Sequence, residues 1–167
     1  MKPARALPLA VAAALAAAPA AAQRPLLGGY FDASTGMEAG GGHGVMRAHR
    51  ARTALHLGMT FRVDELPKDQ LTVGVVAELE PAPTLGAELL YGRWVMPTLL
   101  VEAGTTAVIA PETLLGLTAG ARFRVRLGPR FSLTFGPRTT FSFIGGDLPE
   151  GTVLFNILGV VGIHADL

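Results

Sequence analysis

The chain contains no cysteine. No disulfide can staple its fold, and no thiolate is available as a nucleophile or metal ligand. Charge is scarce, at 16% of residues, and lysine is scarcer still: after Gln23 only Lys68 remains. A soluble exported domain of this size would cover its outside with Lys and Glu, and this chain lacks the residues to do it. The formal net charge of +1 leaves no electrostatic footprint for nucleic acid. No stretch after Gln23 is apolar for long enough to make a spanning helix. Half of the chain is nevertheless hydrophobic. Its apolar character must be dispersed, which is how the strands of a membrane barrel carry it.

The N-terminus is of another kind. "MKPAR" is a short basic start, "ALPLAVAAALAAAPA" an apolar run, and Ala20-Ala21-Ala22 offers a small-residue cleavage site before Gln23. Residues 1–22 are therefore expected to be a secretory signal peptide. The run is too short and too alanine-rich for a transmembrane anchor. Residues 23–167 remain, a length that suits one domain.

From residue 51 the apolar positions keep one parity. Leu55, Leu57, Met59, Phe61 and Val63 are odd, as are Leu71, Val73 and Val75, and later Phe131, Leu133 and Phe135. Of the 20 charged residues from that point on, 16 fall on even positions. Period two over such lengths is a strand pattern that a helix cannot hold. Turn signals such as "DELPKD", "PAP", "MP", "APE", "GP" and "IGGDLPEG" divide it into seven segments, about 51–63, 70–80, 84–94, 98–109, 113–127, 130–143 and 152–166. "RPLLGGYFD", about 24–33, is a plausible eighth strand with poorer alternation. The expected fold is all-β: a single antiparallel up-and-down transmembrane β-barrel of about eight strands. The glycine-rich stretch 34–50 reads as a long first loop, and 144–151 as the other long one. With both termini in the periplasm these would face outside, and 34–50 would be the contact surface for an external partner of unknown kind.

Which side of each strand meets water decides the rest. The even side is rich in Gly and Thr and poor in charge, which suits the crowded interior of a small barrel. The odd side gathers aromatics towards strand ends, Phe61, Tyr91 and Phe131 at one rim and Phe141, Phe143 and Phe155 at the other, as a lipid-facing girdle would. The competing reading is a soluble periplasmic lipocalin-like lipid carrier with the apolar side inward. It would leave the missing lysines unexplained.

In this pattern the mature chain resembles the small eight-stranded outer-membrane proteins of Gram-negative bacteria, such as the OmpA transmembrane domain, OmpX and OmpW. The resemblance implies outer-membrane lipid as surroundings and the barrel-assembly machinery as a partner during biogenesis. It also implies an aromatic residue at the end of the last strand, where "VVGIHADL" has Leu167 instead.

Charges inside a barrel must be paired. The even side supplies both signs, and Glu88, Glu102, Arg122, Arg124 and Arg138 are expected at the centre of a lumen-filling network. Counting along the hairpins places Glu102 near Gly120 and Arg122, Arg138 opposite Asn156, and Arg126 opposite Arg130. Eight strands leave a lumen just filled by side chains, which excludes a wide pore. The expected role is structural or interactive, the alternative being a narrow channel or a binder of small hydrophobic molecules. Catalysis is not expected, because His56, His164, Ser132 and Ser142 are all even and leave no nucleophile, base and acid on the lipid side. No cofactor is implied. Asp32, Glu38, His43 and His49 could ligate a metal, but their spacing matches no closed site. Trp94 and Tyr91 read as interface anchors.

Overall fold

The computed structural model describes residues 26–42, 45–62, 68–80, 83–110, 113–146 and 151–167, with the side chains of 42–50 and of 110 left aside. The proposed signal peptide lies outside the described residues. Eight strands follow one another: β1 (Leu27–Gly42), β2 (Val45–Phe61), β3 (Asp69–Glu80), β4 (Thr84–Met96), β5 (Leu99–Ala110), β6 (Leu114–Arg126), β7 (Phe131–Gly145) and β8 (Thr152–Asp166). Each pairs antiparallel with its sequence neighbour, and β1 pairs with β8, so the sheet closes into a barrel. Closure removes both sheet edges. The pairing of β1 with β8 runs from Gly28↔Asp166 to Gly42↔Thr152. A last backbone bond ties Leu167 N to Leu27 O at 3.0 Å.

The parity seen in the sequence becomes inside and outside. Away from strand ends and bulges, even residues point into the lumen and odd residues point away from it, as the β4 burial pattern alternates along its length. Leu90 is 1% exposed on the inner side, whereas its neighbours Leu89 and Tyr91 are 49% and 52% exposed outside. Leu57, Ile109, Leu117, Phe131 and Val161 likewise stand on the outer wall. The apolar side faces outward, the reverse of what a soluble lipid carrier requires.

Two expectations are corrected. The eighth strand does not stop at residue 33: β1 continues to Gly42 and pairs residue by residue with β2, so 34–50 is the body of a hairpin and not a long loop. Only residues 43–44 separate its two strands. The physical reason is a β-bulge: Glu38 pairs with Arg50 but Ala39 with Ala48, so His49 is the extra residue and the regular count that holds from residue 51 does not extend past it. The expected asymmetry of loop lengths disappears with the long loop. Connections 62–68, 97–98 and 127–130 lie at the end carrying the chain termini, and 43–44, 81–83, 111–113 and 146–151 at the far end.

Candidate functional site

The lumen holds the polar side chains that strands usually show to water. Two registers differ from the sequence count. Arg138 lies opposite Leu158 rather than Asn156, and Arg126 opposite Ser132 rather than Arg130, because the β6–β7 and β7–β8 turns place the strands two residues further along. Glu102 does lie opposite Gly120.

At mid-height one connected set of hydrogen bonds crosses the barrel. Arg138 donates through Nη1 to Glu88 Oε2 at 2.9 Å and through Nη2 to Glu102 Oε1 at 3.1 Å. Arg122 donates through Nε to the same Glu102 oxygen at 2.8 Å and through Nη1 to Asp32 Oδ2 at 2.5 Å. Tyr30 completes Glu88 with a 2.6 Å bond to Oε1, and its ring lies 5.3 Å beneath the Arg122 guanidinium. Each of these residues is at most 7% exposed. Each arginine spans two carboxylates, and such charge-assisted bonds, among the strong ones, offset the cost of burying these groups.

Arg124 stands apart from this set. It lies nearer the termini, bonded to Ser132 Oγ at 2.9 Å and Asp166 Oδ1 at 2.7 Å, with its guanidinium 5.9 Å from the Trp94 ring. Asp166 also approaches His164 Nδ1 at 3.3 Å, and Thr60 meets His164 Nε2 at 3.1 Å. Towards the far end Arg52 bridges Glu38 and Glu78, and Thr84 donates to Glu78 Oε2 at 2.8 Å.

Trp94 corrects an expectation: it is even, inward and 7% exposed, so it is no interface anchor, while Tyr91 is outward. Asp32 and Glu38 are committed to Arg122 and Arg52 instead of a metal. His43 falls outside the described residues, as does the side chain of His49. Among the described residues no group of three or more metal-ligating side chains comes together. Phe61, Tyr91 and Phe131 stand outward towards the terminal end, and Phe141, Phe143 and Phe155 towards the far end, all between 38% and 55% exposed.

The sequence reading missed Tyr30 and Ser34 and offered Asp32 only to a metal, though the even parity of all three was the available signal for the lumen. Ser34 matters because its Oγ lies 3.0 Å from His56 Nε2, while His56 Nδ1 lies 3.2 Å from Glu88 Oε2. Nucleophile, base and acid do assemble, then, inside the lumen. Two features set this trio apart from a hydrolytic triad. Arg138 Nη1 also points at His56 Nδ1, at 2.9 Å, so that nitrogen is contested between a donor and an acceptor. Ser34 is 2% exposed and does not line the water-sized cavity beside His56. That cavity, bordered by Arg52, His56, Glu78, Arg138 and Asn156, is about 20 Å³, room for about one water.

No family model matches the chain, and no curated protein matches it. Among solved structures, Neisserial surface protein A is similar over 83% of this chain and 97% of its own, at 10% identity and a TM-score of 0.49. A de novo designed transmembrane β-barrel is similar over 87% of this chain and 98% of its own, at 16% identity and a TM-score of 0.46. The closed eight-stranded barrel itself stands on the ladders of hydrogen bonds given above.

Proposed function

We propose that the chain is an outer-membrane barrel with a structural or interaction role, exported by residues 1–22 and set in lipid by its outer wall. One observation carries this reading: the barrel is inside-out, with its apolar side chains on the outside and its charges buried and paired within. In water such a wall would be one continuous apolar patch, far beyond what soluble monomers tolerate. In a bilayer the same wall is at home, and girdles of aromatics flank it.

A lumen crossed by paired side chains, with a cavity beside His56 and Arg138 that holds about one water, supports a closed wall over a binder of small hydrophobic molecules, since ligand pockets run to some 300 Å³ or more. The same filling and the buried Ser34 support a non-enzymatic role. The narrow-channel reading keeps one observation in its favour. Glu102 Oε2, Arg122 Nη2 and Arg138 Nε are buried without a protein partner and could be served by a file of waters.

Two measurements test the reading. The mature chain, folded in detergent, should migrate faster on a cold SDS gel than after boiling. Inserted in a planar bilayer, it should be electrically silent. Absence of the mobility shift, with solubility in the absence of detergent, would overturn the membrane reading. Steady unitary currents would replace the closed wall by the channel.

A further inference from the structure

The outer wall is mostly apolar along its height, which makes a charge on it informative. Among the described residues, Arg93 is the only charged side chain on the outward face of a strand away from that strand's ends. It stands on β4 opposite Asp69, the first residue of β3, with its Nη1 3.7 Å from Asp69 Oδ1. The Arg93 side chain is 62% exposed and that of Asp69 only 10%. Asp69 thus holds one side of the guanidinium and leaves the rest of its N–H groups outward. The exposed Tyr91 stands two residues back on the same outward face. Lys68, whose carbonyl accepts from Trp94 N at 2.7 Å, is exposed at the same end of the barrel.

An arginine on a lipid-facing wall is costly at mid-membrane and nearly free at the headgroups, so this cluster marks headgroup level at the terminal end. A guanidinium presents a planar fork of donors that matches phosphate oxygens. Along the same strands the outer wall continues as Leu71, Val73 and Leu89, each 42–49% exposed. A polar fork above an apolar strip has the chemistry of a lipid, headgroup above acyl chain. The neighbouring connection 63–67 carries Asp64 and Glu65, so directed hydrogen bonding and not bulk positive charge must select the ligand.

We propose that Arg93, paired with Asp69 and flanked by Tyr91, holds the phosphodiester of a phospholipid whose acyl chain lies along Leu71, Val73 and Leu89. The inference rests on the membrane reading above and adds to it a specific lipid contact.

The test is carbon–phosphorus dipolar dephasing in the solid state. The mature chain, labelled with ¹³C at its arginine guanidiniums, is inserted into vesicles of phosphatidylethanolamine and phosphatidylglycerol. Lipid phosphorus should dephase a guanidinium signal in the parent chain, and Arg93→Lys and Arg93→Gln should each lose that component while keeping the cold-gel mobility of a folded barrel. Equal dephasing in parent and both variants overturns the proposal. So does the same dephasing produced by inorganic phosphate on the detergent-folded chain, which would make the ligand a free anion. Failure to insert at all would overturn the membrane reading, and this proposal with it, whereas insertion without the Arg93 component overturns this proposal alone.

Discussion

Tyr30 and Glu88 meet across the lumen from β1 and β4, the phenolic hydroxyl donating to the carboxylate at 2.6 Å. The two residues are 58 positions apart in the chain, and the contact pins one wall of the barrel to another. Tyr30→Phe keeps the ring over Gly58 and removes only the donor. The expected loss is about 1.5–3 kcal/mol, the usual range for a hydrogen bond to a charged group. Urea unfolding of the vesicle-inserted chain reads it directly, and an unchanged midpoint would mean that water replaces the hydroxyl at no cost.

The same tyrosine explains a glycine. A methyl group at Gly74 would overlap Tyr30 Oη. Gly74→Ala should therefore cost about 1–3 kcal/mol by overpacking, in spite of alanine being the better strand residue. Combined with Tyr30→Phe, the alanine should cost less than it does alone. Strict additivity of the two losses would argue against this packing.

Arg138 serves Glu88 and Glu102 together. Arg138→Met leaves both buried carboxylates short of a partner, and the expected penalty is about 3–5 kcal/mol. Adding Glu102→Gln to that variant should recover part of the loss, because the second change removes a stranded charge. A double variant no more stable than the single one would show that Arg122 alone suffices for Glu102.

Trp94 provides a test of which wall is which. It lies inward beneath Arg124, whereas Tyr91 stands outward on the same strand. In vesicles of lipid brominated along its acyl chains, Trp94 fluorescence should be quenched weakly. The variant Tyr91→Trp with Trp94→Phe should be quenched strongly. Equal quenching of the two would contradict the inward placement of residue 94.

Much of this barrel was legible before any coordinates. From Ala51 onward period two assigns each side chain to a wall, since a strand offers only two directions. Glu88, Glu102, Arg122 and Arg138 could be placed inside on parity alone. The partners they choose could not, because those depend on how far each strand slides past the next. A two-residue error at Arg138 moved its partner from Leu158 to Asn156. The same limit hid the separation of Arg124 from its neighbours: inward-pointing residues two apart on a tilted strand meet different layers. The first hairpin was lost for another reason. Glycine-rich β1 supplies few side chains to alternate, and the bulge at His49 breaks the count on β2. Tyr30, Asp32 and Ser34 went with it, though they carry much of the lumen's wiring.

Because β1 pairs with β8, the cylinder cannot shut until β8 is in place. Every other pairing joins sequence neighbours and can form locally, but this one joins Gly28 to Asp166. Until β8 arrives, β1 and β7 are both open edges able to pair with another chain. Closure is then the least local event in folding, and the one expected to be slow. A nascent chain of this kind is at its most vulnerable just before its final strand, and needs its leading strand sheltered for the whole of that wait.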